Sequence, residues 1–277
     1  MEQDYYLKPT ADVKTRFYPG QKNTYGLPPG PGGSCRGATT TKGGCWNIPV
    51  GRKLQTCYVA GVMNFRPAVK GLLEHNFSVL KSAETVEGMT AVLRAEFQRF
   101  KDTEIRRAAR TQQPAFLTYR IHWAGDFFND DYARAVGLAI RDFPEIKFWA
   151  YTRVWSVIPI LKDIDNLILY MSLDRVNVSR GLLVYEDNGG TTNPNLRYCY
   201  MSRENNFVDH QEFLTPILAG RNRVREIMGS KRLDSGWLTE QALRICPVDA
   251  GKLAHESGCP TCGRCLSADK TPVWFES

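Results

Sequence analysis

Residues Pro114 to Phe143 read PAFLTYRIHWAGDFFNDDYARAVGLAIRDF, and they decide the fold class. The first ten are apolar nearly throughout, the pattern of a strand buried on both faces of a parallel sheet. From Tyr132 the apolar residues recur every three or four positions, the period of a helix. Between the two lies Gly125-Asp126, a carboxylate at a strand-to-helix switch. Such strand ends are where α/β barrels do their chemistry. An aspartate there can equally cap the next helix by accepting its first free amide hydrogens. Catalysis and capping are both open for Asp126, and position favours catalysis.

The same alternation continues downstream. KFWAYTRV (147–154), NLILYMSL (166–173), GLLVYED (181–187) and LRYCYMS (196–202) each read as a buried strand, with helical or loop stretches between them. Upstream, residues 68–80 and 84–110 carry helical periodicity, and 211–228 and 236–244 do so further on. Five or six such units without a sequence repeat predict an α/β chain folded as a complete or partial (β/α) TIM-like barrel. Residues 1–66 are rich in Gly, Pro and Cys and are expected to pack on that barrel as ordered loops. Residues 67–245 form the expected catalytic core, and 246–277 a Cys-rich metal-binding segment.

The chain has 277 residues and a formal charge of +7, which suggests a polyanionic partner. Basic residues gather in RRAAR (106–110) and RNRVREIMGSKRL (221–233). Lysines and arginines on one face bind nucleic acid by releasing counterions from phosphate. No run approaches the roughly 20 apolar residues of a membrane span, and the N-terminus lacks the order of a secretory signal. A soluble, intracellular protein without a membrane partner is expected.

Eight cysteines in an intracellular chain point to metal or redox chemistry rather than disulfides. Cys246, Cys259, Cys262 and Cys265 have spacing suited to a tetrahedral ion, zinc above all, or to an iron–sulfur cluster. A closed four-thiolate site of this kind reads as structural. Cys35, Cys45 and Cys57 form a second possible site, whose three thiolates leave one coordination position open. Cys199 stands alone.

Asp174, in YMSLD, has a claim like that of Asp126, and His122 precedes Asp126 closely. Two carboxylates on one rim can serve as nucleophile and general acid/base. Arg153 and Glu186 fall at neighbouring expected strand ends and are candidates for binding substrate. Trp123 and Tyr151 offer faces on which an extruded base can stack.

At CRGATTTKGGCW (35–46), TCYVAG (56–61), RIHWAGDFFND (120–130), FWAYTR (148–153) and the terminal CP…CPTCGRC, the chain resembles a family of bacteriophage proteins known by gene-product number. The resemblance spans about residues 30–266. The chain is also similar to phage DNA-guanine transglycosylases of the DpdA type, relatives of zinc-containing (β/α)8 tRNA-guanine transglycosylases. That similarity implies a glycosyltransferase exchanging guanine in double-stranded DNA for a free 7-deazaguanine base of the preQ0 type. The modification would protect phage DNA from restriction in the cytoplasm of the infected bacterial host. Asp126 and Asp174 would be its two carboxylates, and the C-terminal cysteines its zinc ligands. SRGLLVYEDNGG (179–190) is similar to the base-binding loop of the tRNA enzymes, with Glu186 in the glutamate's place.

A rival resemblance comes from the same residues. Three cysteines before a first helix, a strand ending in Gly-Asp, and a later SLD are similar to the order in radical S-adenosylmethionine enzymes. It implies a [4Fe-4S] cluster on Cys35, Cys45 and Cys57, with S-adenosylmethionine as cofactor, acting on nucleic acid or a nucleotide. A zinc-stabilised DNA-binding protein without activity is the third reading.

Overall fold

The computed structural model describes residues 5–11, 16–41, 44–46, 57, 59–60, 63, 66–174, 176–190, 192–202 and 273–276. Helix α1 (Pro67–Ser82) begins on a proline, whose missing amide hydrogen and fixed φ suit a first helical turn. Helix α2 (Val86–Thr111) is capped by Thr85, whose hydroxyl accepts from the Gly88 amide at 3.0 Å. It buries Met89, Leu93, Phe97 and Phe100 along one stripe. Then β1 (Thr118–Ile121), α3 (Asp130–Arg141) and β2 (Lys147–Thr152) follow. A 3-10 turn (Trp155–Val157) leads into α4 (Ile158–Leu161) and β3 (Leu167–Leu173). Helix α5 (Val178–Asp187), β4 (Leu196–Ser202) and β5 (Val273–Glu276) complete the described elements.

The five strands form one sheet in the order β1-β2-β3-β4-β5, and every described pairing is parallel. Alternation along the strands assigns the two faces. Tyr119, Ile121, Phe148, Ala150, Leu169, Met171 and Leu173 join the core under the helices. Phe97 of α2 lies 5.3 Å from Tyr119 and 4.7 Å from Phe148, centroid to centroid. The opposite face carries a ladder of cations and rings. Arg120 lies over Tyr151, Tyr151 stacks on Tyr170 at 5.0 Å, and Arg197 lies over Tyr170.

The N-terminal region adds to this sheet. Thr24 bridges Arg120 in parallel, the Arg120 amide donates to the Asn23 carbonyl at 2.9 Å, and Trp123 to Tyr25 at 3.0 Å. Residues 23–27 thus lie along the outer edge of β1, with Tyr25 and Leu27 fully buried.

The α/β class with parallel strands holds, and three expectations are narrowed or changed. The described strands make an open sheet with sequential parallel order, and no described pairing joins β1 to β5 into a closed barrel. GLLVYED is helix α5, not a strand: Leu182 and Tyr185, three apart, face the core. Gly181 packs against Leu173, where a Cβ would stand 2.3 Å from a Leu173 methyl carbon. A short apolar run is ambiguous between strand and helix, and here the three-residue spacing decided. Third, RRAAR is only partly a free basic face, because Arg107 bonds Glu104 and lies over Tyr18 and Phe116. The stretches 211–228, 221–233 and 236–244 lie outside the described residues, as do Cys246, Cys259, Cys262 and Cys265.

Candidate functional site

The chain leaves β1 through two residues with left-handed backbone, His122 (φ 60) and Gly125 (φ 82). A Cβ at Gly125 would lie 2.4 Å from the Ser34 hydroxyl and 2.7 Å from the Leu27 carbonyl, so only glycine permits this approach. The turn sets Asp126 into the protein with 4% of its surface exposed. Its amide donates to Ser34 Oγ at 2.9 Å. Its Oδ1 accepts from the Phe127 amide at 2.8 Å and the Thr152 hydroxyl at 2.7 Å, and its Oδ2 from the Arg153 amide at 2.8 Å. Burial pushes the carboxyl from 3.8 up to about 6, against the pull of these bonds and of the Arg153 charge. Asp126 is not the cap of α3. That role belongs to Asn129, whose Oδ1 accepts from the Tyr132 amide at 2.7 Å.

Asp174, at the end of β3, is bonded through both oxygens. Oδ2 accepts from Thr39 Oγ1 at 2.6 Å, the Cys45 amide at 3.0 Å and Arg153 Nη1 at 2.5 Å. Oδ1 accepts from the amides of Val176 and Asn177 at 2.9 and 3.1 Å. Arg153, just past β2, therefore touches both carboxylates, one through its backbone and one through its side chain. Its Nη2 is buried with no hydrogen-bond partner among the described residues. Burial works against the guanidinium charge, but Cys45, Asp174 and Cys199 favour it, and the net shift is upward.

The three N-terminal cysteines converge here. Burial raises the Cys35 thiol, and the charges of Asp126, Cys57 and Cys45 raise it further. Cys57 is also raised by burial, with amides of Ala60 and Val59 and the Arg153 charge opposing, and Cys45 adding to the rise. Each thiol thus lies within electrostatic range of the other two, over the C-terminal ends of β1, β2 and β3. The loop bearing Cys35 and Cys45 rests on the strand ends directly, since a Cβ at Gly37 would meet the Arg153 carbonyl at 2.2 Å. Arg36 pins it from outside by bonding Asp130 and, at 3.0 Å, Ser156.

Among the described residues, no three His, Cys, Asp or Glu side chains gather closely enough for a single metal ion. A cubane cluster presents its irons at separate corners, so its thiolates stand further apart than those round one ion. Three thiols beside one buried guanidinium are the donor type such a cluster takes. The burial that raises Cys35 and Cys57 is compatible with this, because a buried thiol becomes a thiolate when a metal supplies the compensating charge.

The other expected residues separate from this centre. His122 is fully enclosed and burial lowers it to about 3, with Arg120 adding to the effect, so it is neutral. Its Nε2 bonds the Tyr132 hydroxyl at 2.6 Å rather than Asp126, and its ring packs against Tyr25 and Phe127. Trp123, half-buried, packs with Cys57 against a small cluster of Val59, Leu73 and Ala124. Tyr151 lies on the face opposite the described helices, in the ring ladder. Glu186 is carried away from the rim: α5 runs back from the end of β3 and delivers its C-terminus to the start of β4. The sequence reading missed Thr39, Ser34, Thr152 and Arg36. For Ser34, Arg36 and Thr39 the only signal was the Gly- and Thr-rich run ahead of Cys45, and for Thr152 its place near the end of FWAYTR.

No described helix is long and apolar enough to cross a membrane. No solved structure matches the chain. The Gene 88 protein of Mycobacterium phage L5 is 36% identical over 161 residues, covering 57% of this chain and 60% of that protein. The Gene 88 protein of Mycobacterium phage D29 is 35% identical over the same length, with the same coverage. The chain thus spans about 60% of the length of these relatives. The family model described as Gene product 88 matches residues 5–268, nearly the whole chain, and the protein belongs to that bacteriophage family.

Proposed function

We propose that the protein is an iron–sulfur enzyme of the radical S-adenosylmethionine kind acting on nucleic acid or a nucleotide, with Cys35, Cys45 and Cys57 as cluster ligands. One observation carries the reading. Three thiols spread over 23 positions of sequence come into mutual electrostatic range over parallel strand ends, beside Arg153 and two buried carboxylates. The order of elements adds support. An edge segment along β1 comes first, then the cysteine loop, α1 and α2, and then β1 with Gly125-Asp126 in the turn after it. When bound, the cluster supplies the single electron that opens S-adenosylmethionine to radical chemistry.

The chain's own groups have separate tasks. Arg153 Nη2 offers a buried donor for a ligand carboxylate. Asp126 has about four acceptor sites when ionised. Three are filled, so one remains at Oδ2 for an ammonium group. The net charge of +7 supports a polyanionic substrate. Anaerobic purification tests the reading. About four irons per chain and a brown colour that bleaches in air are expected, and Cys45→Ser must abolish both. Zinc without iron overturns it.

A second reading, DNA-guanine transglycosylase, draws on the Asp126 carboxyl held up to about 6 at a strand end. It ranks lower because three donors already bind both oxygens of that would-be nucleophile. Exchange of labelled guanine into duplex DNA by colourless, iron-free protein would favour it.

A further inference from the structure

We propose that Asp174 is a positioning residue of the cysteine site: its carboxylate clamps Cys45 and Arg153 together and sets the charge the cluster experiences. The inference rests on the iron–sulfur reading for its redox part, and on geometry alone for its structural part.

Three donors from two parts of the chain meet at one oxygen. Thr39 Oγ1 and the Cys45 amide come from the cysteine loop, and Arg153 Nη1 from the end of β2. Thr39 Oγ1 also accepts from the Cys45 amide at 2.8 Å, so loop and carboxylate share that donor. The second oxygen is held by the Val176 and Asn177 amides, and the Asp174 amide donates back to Asn177 Oδ1 at 2.8 Å. The carboxylate is therefore oriented by its own turn, and Cys45 is oriented by the carboxylate. Asp174 is 1% exposed and the Arg153 side chain 8%, so the pair is little screened by water.

Two consequences follow from this arrangement. First, the Asp174 bond to Nη1 fixes the guanidinium plane and leaves Nη2 as the buried donor near the thiols. Second, the carboxylate offsets, at hydrogen-bond distance, a cation that would otherwise act on the site with only Asp126 opposing it. An uncompensated positive charge favours the more negative, reduced form of a cluster and raises its potential. Asp174 holds that potential down. This role differs from the acid/base role expected of it, since every donor it meets is already satisfied by it.

The test compares wild type, Asp174→Asn and Asp174→Ala after anaerobic reconstitution with iron and sulfide. Folding is checked by circular dichroism, iron is counted per chain, and the midpoint potential is read by electron paramagnetic resonance during a dithionite titration. Asp174→Asn keeps the shape and one acceptor oxygen, so it should retain more iron than Asp174→Ala, and the cluster it holds should sit at a higher potential than in wild type. Asp174→Ala frees the loop and should lose more than half the iron. A wild-type potential in Asp174→Asn, or full loading at that potential in Asp174→Ala, overturns the proposal. Should wild type itself take up no iron, the function reading fails, and the clamp is tested on the metal-free protein. Iodoacetamide must then alkylate Cys45 several times faster in Asp174→Ala than in wild type, and equal rates overturn the clamp as well. Thr39→Val, which keeps the carboxylate, should speed alkylation in the same sense and guards against misfolding of the alanine variant.

Discussion

Glu96 of α2 is a buried carboxyl whose removal has a calculable signature. It is 2% exposed, accepts from the Tyr119 hydroxyl at 2.9 Å, and bonds the half-exposed Arg99. Burial pushes it from 4.5 up to about 7, with Arg99 and Tyr119 opposing. A raised carboxyl pKa means that the folded protein holds the proton more tightly than the unfolded chain. The associated stability is fully present below pH 4.5 and is lost as pH rises towards 7. Each unit is worth about 1.4 kcal/mol, so the loss between pH 4.5 and 8 is about 3 kcal/mol. Glu96→Gln keeps the bond from Tyr119 and cannot ionise, and Arg99 is exposed enough to swing into water. Urea unfolding of both proteins at pH 4.5 and pH 8 gives the comparison. Asp126 titrates in both proteins and cancels in the difference. With a urea slope of about 3 kcal/mol per molar, the wild-type midpoint should fall by about 1 M more than that of Glu96→Gln. Parallel falls in the two midpoints would refute the reasoning.

Two further substitutions separate capping from site chemistry in the 122–132 turn. Asn129→Ala removes the cap of α3 and should lower stability by about 1 kcal/mol, read by urea midpoint, while iron content stays at the wild-type level; loss of iron would tie the cap to the site. Asp126→Asn sets an amide hydrogen against the Arg153 amide and should lower stability by about 1–3 kcal/mol, with loss of activity in any assay that wild type passes. An unchanged midpoint would mean that the three bonds to this carboxylate contribute nothing to the fold.

The parallel strands were legible because burial on both faces leaves an apolar run that few other structures produce. The runs at β1, β2 and β3 are each followed by a polar turn, and the structure keeps all three. GLLVYED was misread because seven apolar-rich residues satisfy either period, and only the burial of Leu182 and Tyr185, three apart, with Gly181 against Leu173, settled the matter. The carboxylate at the end of β1 was legible as a position but not as a set of bonds. Thr152 and Arg153 are 26 and 27 residues distant from Asp126, and nothing local announces them. The cysteine triplet shows the limit most clearly. Spacings of 9 and 11 residues resemble no tight metal-binding motif. The sheet brings the thiols together by giving the loop a floor of strand ends, which is a property of the fold rather than of the spacing.

That floor is made late in the life of the chain. Cys45 and Asp174 are 129 residues apart in sequence, and Cys45 is translated first. At about 5–20 residues per second, roughly 6–26 s pass between the synthesis of the thiol and that of the carboxylate that holds it. Residues 23–27 likewise wait for β1 before they have an edge to pair with. The cysteines thus leave the ribosome as free thiols without a built pocket, in the interval when oxidation and stray metals compete for them. Assembly of the site is in this sense a problem of timing, and production under reducing, oxygen-poor conditions addresses that interval directly.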